Sequence, residues 1–230
     1  MISQILGLYK KSIGKGLVGG VFRLLMRKLL VNASNISWKF LKKNSLVSDS
    51  VVDEDSRVIC TLTSHGLRIR HAWKTLRFLQ FQSMAPHRLI LYLWKGDRDR
   101  YEEVKQCYDD LLSRGLEIVW LENDLRSYKK YVPAFVEFCN SMVITLDDDI
   151  MYPPTLVEKL CSARKNFGAM SIVTCYAREV TSLNTDSGFF NGWKLCTRVY
   201  HDQHLFFGSG GGTLFVPSEF EDEVVQTELF

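Results

Sequence analysis

From Arg57 onward the sequence alternates short apolar runs with amphipathic stretches, and no other feature restricts the possible folds as much. The runs at 58–63, 88–94, 116–121 and 142–146 are apolar on nearly consecutive residues, the pattern of strands covered on both faces. Between them, stretches 68–82, 99–114 and 132–140 read as helices; Ile69, Trp73, Leu76 and Leu79 mark one apolar face of the first. A helix over 155–167 and a strand over 171–176 continue the rhythm. Repeated strand–helix–strand units predict an α/β fold, a mainly parallel sheet flanked by helices. With 46% hydrophobic and 24% charged residues, a chain of 230 residues has the apolar content for such a core.

Both ends depart from this rhythm. Residues 1–48 hold nine of the chain's 29 cations and none of its 26 acids, so the net charge of +3 belongs to this leader and the rest is net acidic. Within 1–31, Ile5, Tyr9, Ile13, Leu17, Phe22, Leu25 and Leu29 recur at roughly helical spacing between cations. An amphipathic helix lying on an anionic membrane surface has that composition, and so does one docked on the protein's own core or on a partner. Arg23, Arg27 and Lys28 interrupt residues 17–31, which argues against a membrane span or a cleaved signal peptide. The expected organisation is a basic amphipathic leader and linker over 1–48 and a globular domain over 57–230. Six cysteines without CxxC spacing fit a reducing compartment better than a zinc or disulfide framework. The expected location is the cytoplasm, with the leader at the inner face of the plasma membrane. Towards the other end, residues 177–207 are polar and aromatic and include His201 and His204. They lead into Gly208-Ser-Gly-Gly-Gly-Thr-Leu-Phe-Val-Pro217, which reads as a substrate-side half rather than another βαβ unit.

Three consecutive acids, Asp147, Asp148 and Asp149, close the run 142–146. A buried parallel strand would deliver them to the carboxyl edge of the sheet, where open α/β sheets bind ligands. Strand alternation would send Asp147 and Asp149 one way and Asp148 the other. Two hard oxygen ligands with room for water and phosphate oxygens suit Mg²⁺ or Mn²⁺. A solvated acidic turn capping the next helix uses the same residues. Cys60-Thr-Leu-Thr-Ser-His-Gly66, followed by Arg68, offers hydroxyls and backbone N–H groups to a nucleotide, or an ordinary helix cap. Leu125-Arg-Ser-Tyr-Lys-Lys-Tyr131 brings cations to the same edge, for a diphosphate or for solvent. The glycines at 208 and 210–212 lack the residues of a P-loop and the GxGxxG spacing, and would let backbone approach a sugar or an acceptor closely.

Taken in order, the Thr61-Leu-Thr-Ser64, Arg126-Ser-Tyr-Lys-Lys130, Ile144-Thr-Leu-Asp-Asp-Asp-Ile-Met-Tyr-Pro153 and Gly208–Pro217 segments resemble bacterial glycosyltransferases of the GT-A fold. The nearest likeness is to family-2-like enzymes that build surface polysaccharides, over residues 57–220. The resemblance implies a Rossmann-like nucleotide-sugar half over about 57–150 and an acceptor-side half over about 151–230. It implies transfer of a sugar from a nucleotide-diphosphate donor to a glycan or glycolipid acceptor, with Mn²⁺ or Mg²⁺ bound through Asp147 and Asp149. Thr63, Ser64, Arg68, Lys129, Lys130, Asp147 and Asp148 would bind the nucleotide sugar, and Gly210, Gly211 and Gly212 would face the sugar or the acceptor. The catalytic base such enzymes carry after the glycine-rich strand has only Glu219 and Asp222 as weak counterparts, so the resemblance suggests a shortened member. Two alternatives stand beside it: a metal-dependent phosphoryl hydrolase using the same acids, and a non-catalytic, membrane-peripheral binding protein with a transferase-like fold.

Overall fold

A computed structural model describes residues 45–168, 170–180, 193–196 and 205–226. The expectations for the leader, for His201 and for His204 lie outside the described residues. Strand β1 (Val58–Thr63) passes through a 3-10 turn into helix α1 (Ile69–Leu79), and β2 (Arg88–Trp94) into the short helices α2 (Arg98–Glu102) and α3 (Asp109–Leu112). β3 (Leu116–Leu121) is followed by a 3-10 helix, Arg126–Lys130, and by α4 (Val132–Glu137); β4 (Met142–Leu146) leads to α5 (Leu156–Phe167). Five short strands complete the described chain: β5 (Val173–Thr174), β6 (Ala177–Glu179), β7 (Lys194–Leu195), β8 (Leu205–Phe207) and β9 (Gly211–Phe215).

The main sheet has the order β3-β2-β1-β4-β9-β5. The first four strands are mutually parallel, while β9 runs antiparallel to β4 and to β5. β7, β6 and β8 form a separate antiparallel sheet. The expected α/β architecture with a mostly parallel, helix-flanked sheet is therefore present.

Apolar residues on consecutive strand positions are needed because both sheet faces are covered. On one face Val58, Cys60, Leu62, Leu89, Leu91, Ile144 and Leu146 pack with Ile69, Leu76 and Leu79 of α1 and with Val157 and Leu160 of α5. On the other, Ile59, Ile90, Tyr92, Val143 and Phe215 pack with Ala134 of α4 and with Phe138. Each fully buried aliphatic or aromatic side chain contributes roughly 1.5–3 kcal/mol of transfer free energy, so these two clusters hold the strand ends in register.

Two expected elements differ. The helix anticipated over 99–114 is broken at Val104, whose backbone (φ −130°, ψ 9°) is not helical. Tertiary partners on either side account for the break. Tyr101 meets the Trp120 ring edge-on at 5.4 Å between centroids, and the Tyr108 hydroxyl donates to the Ile69 carbonyl at 2.6 Å. The strand anticipated over 171–176 pairs only at Val173 and Thr174, at the sheet's edge.

Candidate functional site

From β1 the chain adds β2 and then β3 on one side, and returns to place β4 on the other. The carboxyl ends of β1 and β4 thus flank a topological switch point, where neighbouring connections diverge and leave a crevice. Ser64 stands just beyond β1 and the three acids just beyond β4.

β4 ends at Leu146, and the three acids follow it in a turn. Asp148 is the buried one, its side chain 3% exposed. It accepts from the Ser64 hydroxyl at 2.5 Å, from Arg68 Nε at 3.2 Å and from a second nitrogen of the same guanidinium, while its backbone carbonyl accepts from Thr75 Oγ1 at 2.8 Å. Asp149, 65% exposed, reaches the same guanidinium at 3.2 Å. Asp147 instead accepts from Lys130 Nζ at 2.7 Å. Asp147 and Asp149 are thus the partly exposed acids and Asp148 the buried one, while the cations divide differently: Asp148 and Asp149 share Arg68, and Asp147 has a separate cation. The hydrogen bond to Asp148 first, and the charges of all three acids after it, raise the Arg68 pKa against the opposing effect of burial.

The basic stretch is a folded support rather than a solvated loop. Lys129 is fully buried and ion-pairs with Asp124, which also accepts the Arg126 N–H at 3.0 Å. Burial pulls the Asp124 carboxyl up, but Lys129, the Arg126 N–H and nearby His65 together hold it below its usual range. With Lys129 anchored this way, Lys130 projects to Asp147 from the next position.

Opposite the acids, β9 returns with an extra residue. Thr145 pairs with Thr213 and Leu146 with Gly211, so Gly212 is bulged, at φ +91°. A side chain there would be strained and would press on Leu156. The bulge carries Gly210 up to Asp147, so closely that a methyl group on Gly210 would overlap the carboxylate. Thr145 Oγ1 donates to the Ser209 carbonyl, and Tyr152 joins the same two segments. Its Oη accepts the Asp147 N–H at 2.7 Å and donates to the Gly210 carbonyl. Burial pushes the Tyr152 phenol up, which keeps it protonated.

The structure thus gathers two contacting groups on the acid turn: Ser64 and Arg68 with Asp148 and Asp149, and Lys130 and Gly210 with Asp147. Thr63 turns its hydroxyl to the Tyr92 carbonyl at 2.9 Å, within the sheet. Lys129 serves Asp124, Gly211 lies opposite Leu146, and Gly212 forms the bulge. Glu219 is engaged by Arg164 and by the Met170 N–H at 3.0 Å. The Asp222 side chain lies outside the described residues. Tyr152, Thr75 and Asp124 were missed by sequence reasoning. For Tyr152 a signal existed, since a tyrosine inside a conspicuous motif that is to be buried needs a partner for its hydroxyl.

Among the described residues, no three His, Cys, Asp or Glu side chains converge to hold a metal ion by themselves. Asp147 and Asp149 nevertheless have partly exposed side chains, 40% and 65%, and among the described residues two cations pair with the three acids. Hard oxygen donors and a leftover negative charge fit a Mg²⁺-type ion that completes its shell with water and ligand oxygens, not a closed protein cage. Also among the described residues, no helix is long and apolar enough to cross a membrane.

No family model matches the sequence, and no curated protein matches it. Solved structures that resemble the fold include 4-diphosphocytidyl-2C-methyl-D-erythritol synthase from Anaerococcus prevotii, 14% identical, with 71% of this chain and 72% of that one covered and a TM-score of 0.39. Another is the inositol-1-phosphate CTP transferase from T. maritima, also 14% identical, covering 70% and 71% of the two chains at a TM-score of 0.38. Likenesses this low carry no weight for the activity of this chain.

Proposed function

We propose that the chain is a nucleotide-dependent transferase and, more narrowly, a metal-dependent glycosyltransferase that moves a sugar from a nucleotide-diphosphate donor to a glycan or glycolipid acceptor. The observation that carries this reading is the set of three acids at the β1/β4 switch point, two of them solvent-facing and all held by cations from two different elements. Asp147 and Asp149 would hold Mn²⁺ or Mg²⁺, which would supply neutralisation of charge building on the leaving oxygens. Arg68, half-exposed beside Asp149, would offer N–H groups to a phosphate oxygen. Ser64 and Arg68 fix Asp148 and with it the turn that presents its neighbours, so the geometry exists before the ligand arrives. Gly210 is buried against the Asp147 carboxylate and Gly211 faces Tyr176, so in this reading the glycines set the position of the acid rather than open a path for a sugar ring. With Glu219 committed to Arg164, it has no part as the base in this reading.

Titration with UDP, GDP, CDP and ADP, each with and without Mn²⁺, tests the proposal. One of them should bind in a Mn²⁺-dependent way, and Asp149→Ala should abolish the Mn²⁺ dependence. An Asp149→Ala chain that keeps the parent's Mn²⁺ dependence would remove the metal from the scheme. Phosphate release from simple phosphoesters without any sugar acceptor would turn the assignment to a hydrolase.

A further inference from the structure

Tyr152 is 6% exposed, and its ring packs in the same cluster as Leu62, Leu146 and Leu156. Hydrophobic burial alone would be served by phenylalanine, yet the hydroxyl stands between two chain segments and bonds to both. One is the Asp147 N–H, five residues before it; the other is the Gly210 carbonyl, 58 residues after it. On the far side of the same junction, the Asp147 carboxylate lies against Gly210 with no space for a side chain, and Thr145 ties Ser209 down. Asp147 is therefore held at its backbone by Tyr152 and at its side chain by Lys130 and the glycine turn.

We infer that Tyr152 is a positioning residue: its hydroxyl locks the acid turn after β4 to the glycine turn before β9, so that Asp147 faces the diphosphate-binding crevice in one orientation. The part concerning the diphosphate rests on the function proposed above; the lock itself does not. Losing two hydrogen bonds at one buried atom loosens both segments together, leaving the Thr145–Ser209 bond and the Leu146–Gly211 pair as the neighbouring ties among the described residues.

The test uses the full chain and Tyr152→Phe, which keeps the ring. Hydrogen exchange should speed up in peptides covering 147–149 and 209–211 together, while peptides from β1 and β2 keep their protection. The affinity for whichever of UDP, GDP, CDP or ADP binds should fall roughly tenfold in the presence of Mn²⁺, as expected for about one lost hydrogen bond to the site's frame. Without Mn²⁺ it should not change. Equal losses with and without Mn²⁺, or unchanged exchange at 209–211, would overturn the positioning role. A parent chain that binds none of the four nucleotides would end the functional proposal, and the exchange measurement would still decide the lock. If Tyr152→Phe does not fold, Gly210→Ala disturbs the same junction from the other side and should accelerate exchange at 147–149; no change there would also overturn the lock.

Discussion

Arg68 neutralises a carboxylate that has almost no access to water. With the guanidinium gone, Asp148 would keep only the Ser64 hydroxyl on its side chain. Asp148 is buried but Arg68 is half-exposed, so stranding the acid costs less than breaking a fully buried pair, about 1–3 kcal/mol for a buried acceptor left unsatisfied. Arg68→Leu should therefore lower the urea midpoint strongly, and Arg68→Leu with Asp148→Asn should recover most of the loss. Additive losses in the double variant would show that the pair is not coupled. His87 offers a second residue-level test, at the opposite end of the sheet. Its Nδ1 accepts the Val58 N–H at 2.9 Å, and burial, with Arg57 nearby, lowers its pKa. The folded state thus binds the proton less readily than the unfolded state. Its contribution is complete above the ordinary value of 6.5 and is lost as the pH falls below that through the lowered folded-state value. Thermal midpoints measured from pH 8 down to 5 should decline over that window, and His87→Gln should flatten the decline. The chemistry-bearing residue types at the site were legible in the sequence. Which cation meets which acid was not, because Arg68 and Lys130 arrive from segments far from the acids in sequence. The role of Tyr152 was hidden because one of its partners lies in a distant segment.

At the scale of elements, the four parallel strands were legible because burial on both faces leaves a continuous apolar run that few other structures require, whereas β6, β7 and β8 lie in a stretch read as irregular. The helix over 99–114 was not, because local pattern is silent about Tyr108 reaching Ile69 and Tyr101 meeting Trp120, and those contacts override helical propensity at Val104. The β9 bulge was equally invisible, although its glycines were conspicuous. Gly212→Val should test it: a β-branched residue at φ +91° against Leu156 should cost about 1–3 kcal/mol in backbone strain alone. The measurement is a denaturant midpoint for the variant, compared with Ser209→Ala as a nearby control. Loss confined to the background level of the control would mean that the bulge adapts to a side chain.

For the whole molecule, the charge division along the sequence sets an expectation of its own. The leader carries cations and no acid before Asp49. If it attaches to anionic lipid, the full chain should cosediment with phosphatidylserine-containing vesicles at low salt and be released at high salt, since screening shortens the reach of surface charge. A chain beginning at Asn44 should stay in solution under both conditions. Indifference to salt and to the deletion would rule the leader out as a membrane anchor.

The return of β9 across the switch point also has a kinetic meaning. Thr145 and Ser209 touch across 64 residues of sequence and Ser64 and Asp148 across 84, whereas β1, β2 and β3 assemble from nearer neighbours, and β9 can dock only on a β4 already in place. Loop closure of that length comes late in folding, after local strand–helix units have formed. A chain still emerging from the ribosome would already own its acids and its cations, yet lack the wall against which Asp147 is set. Ligand competence should consequently appear with the slowest folding phase, so that the molecule becomes able to hold its ligand only once its last large strand has docked.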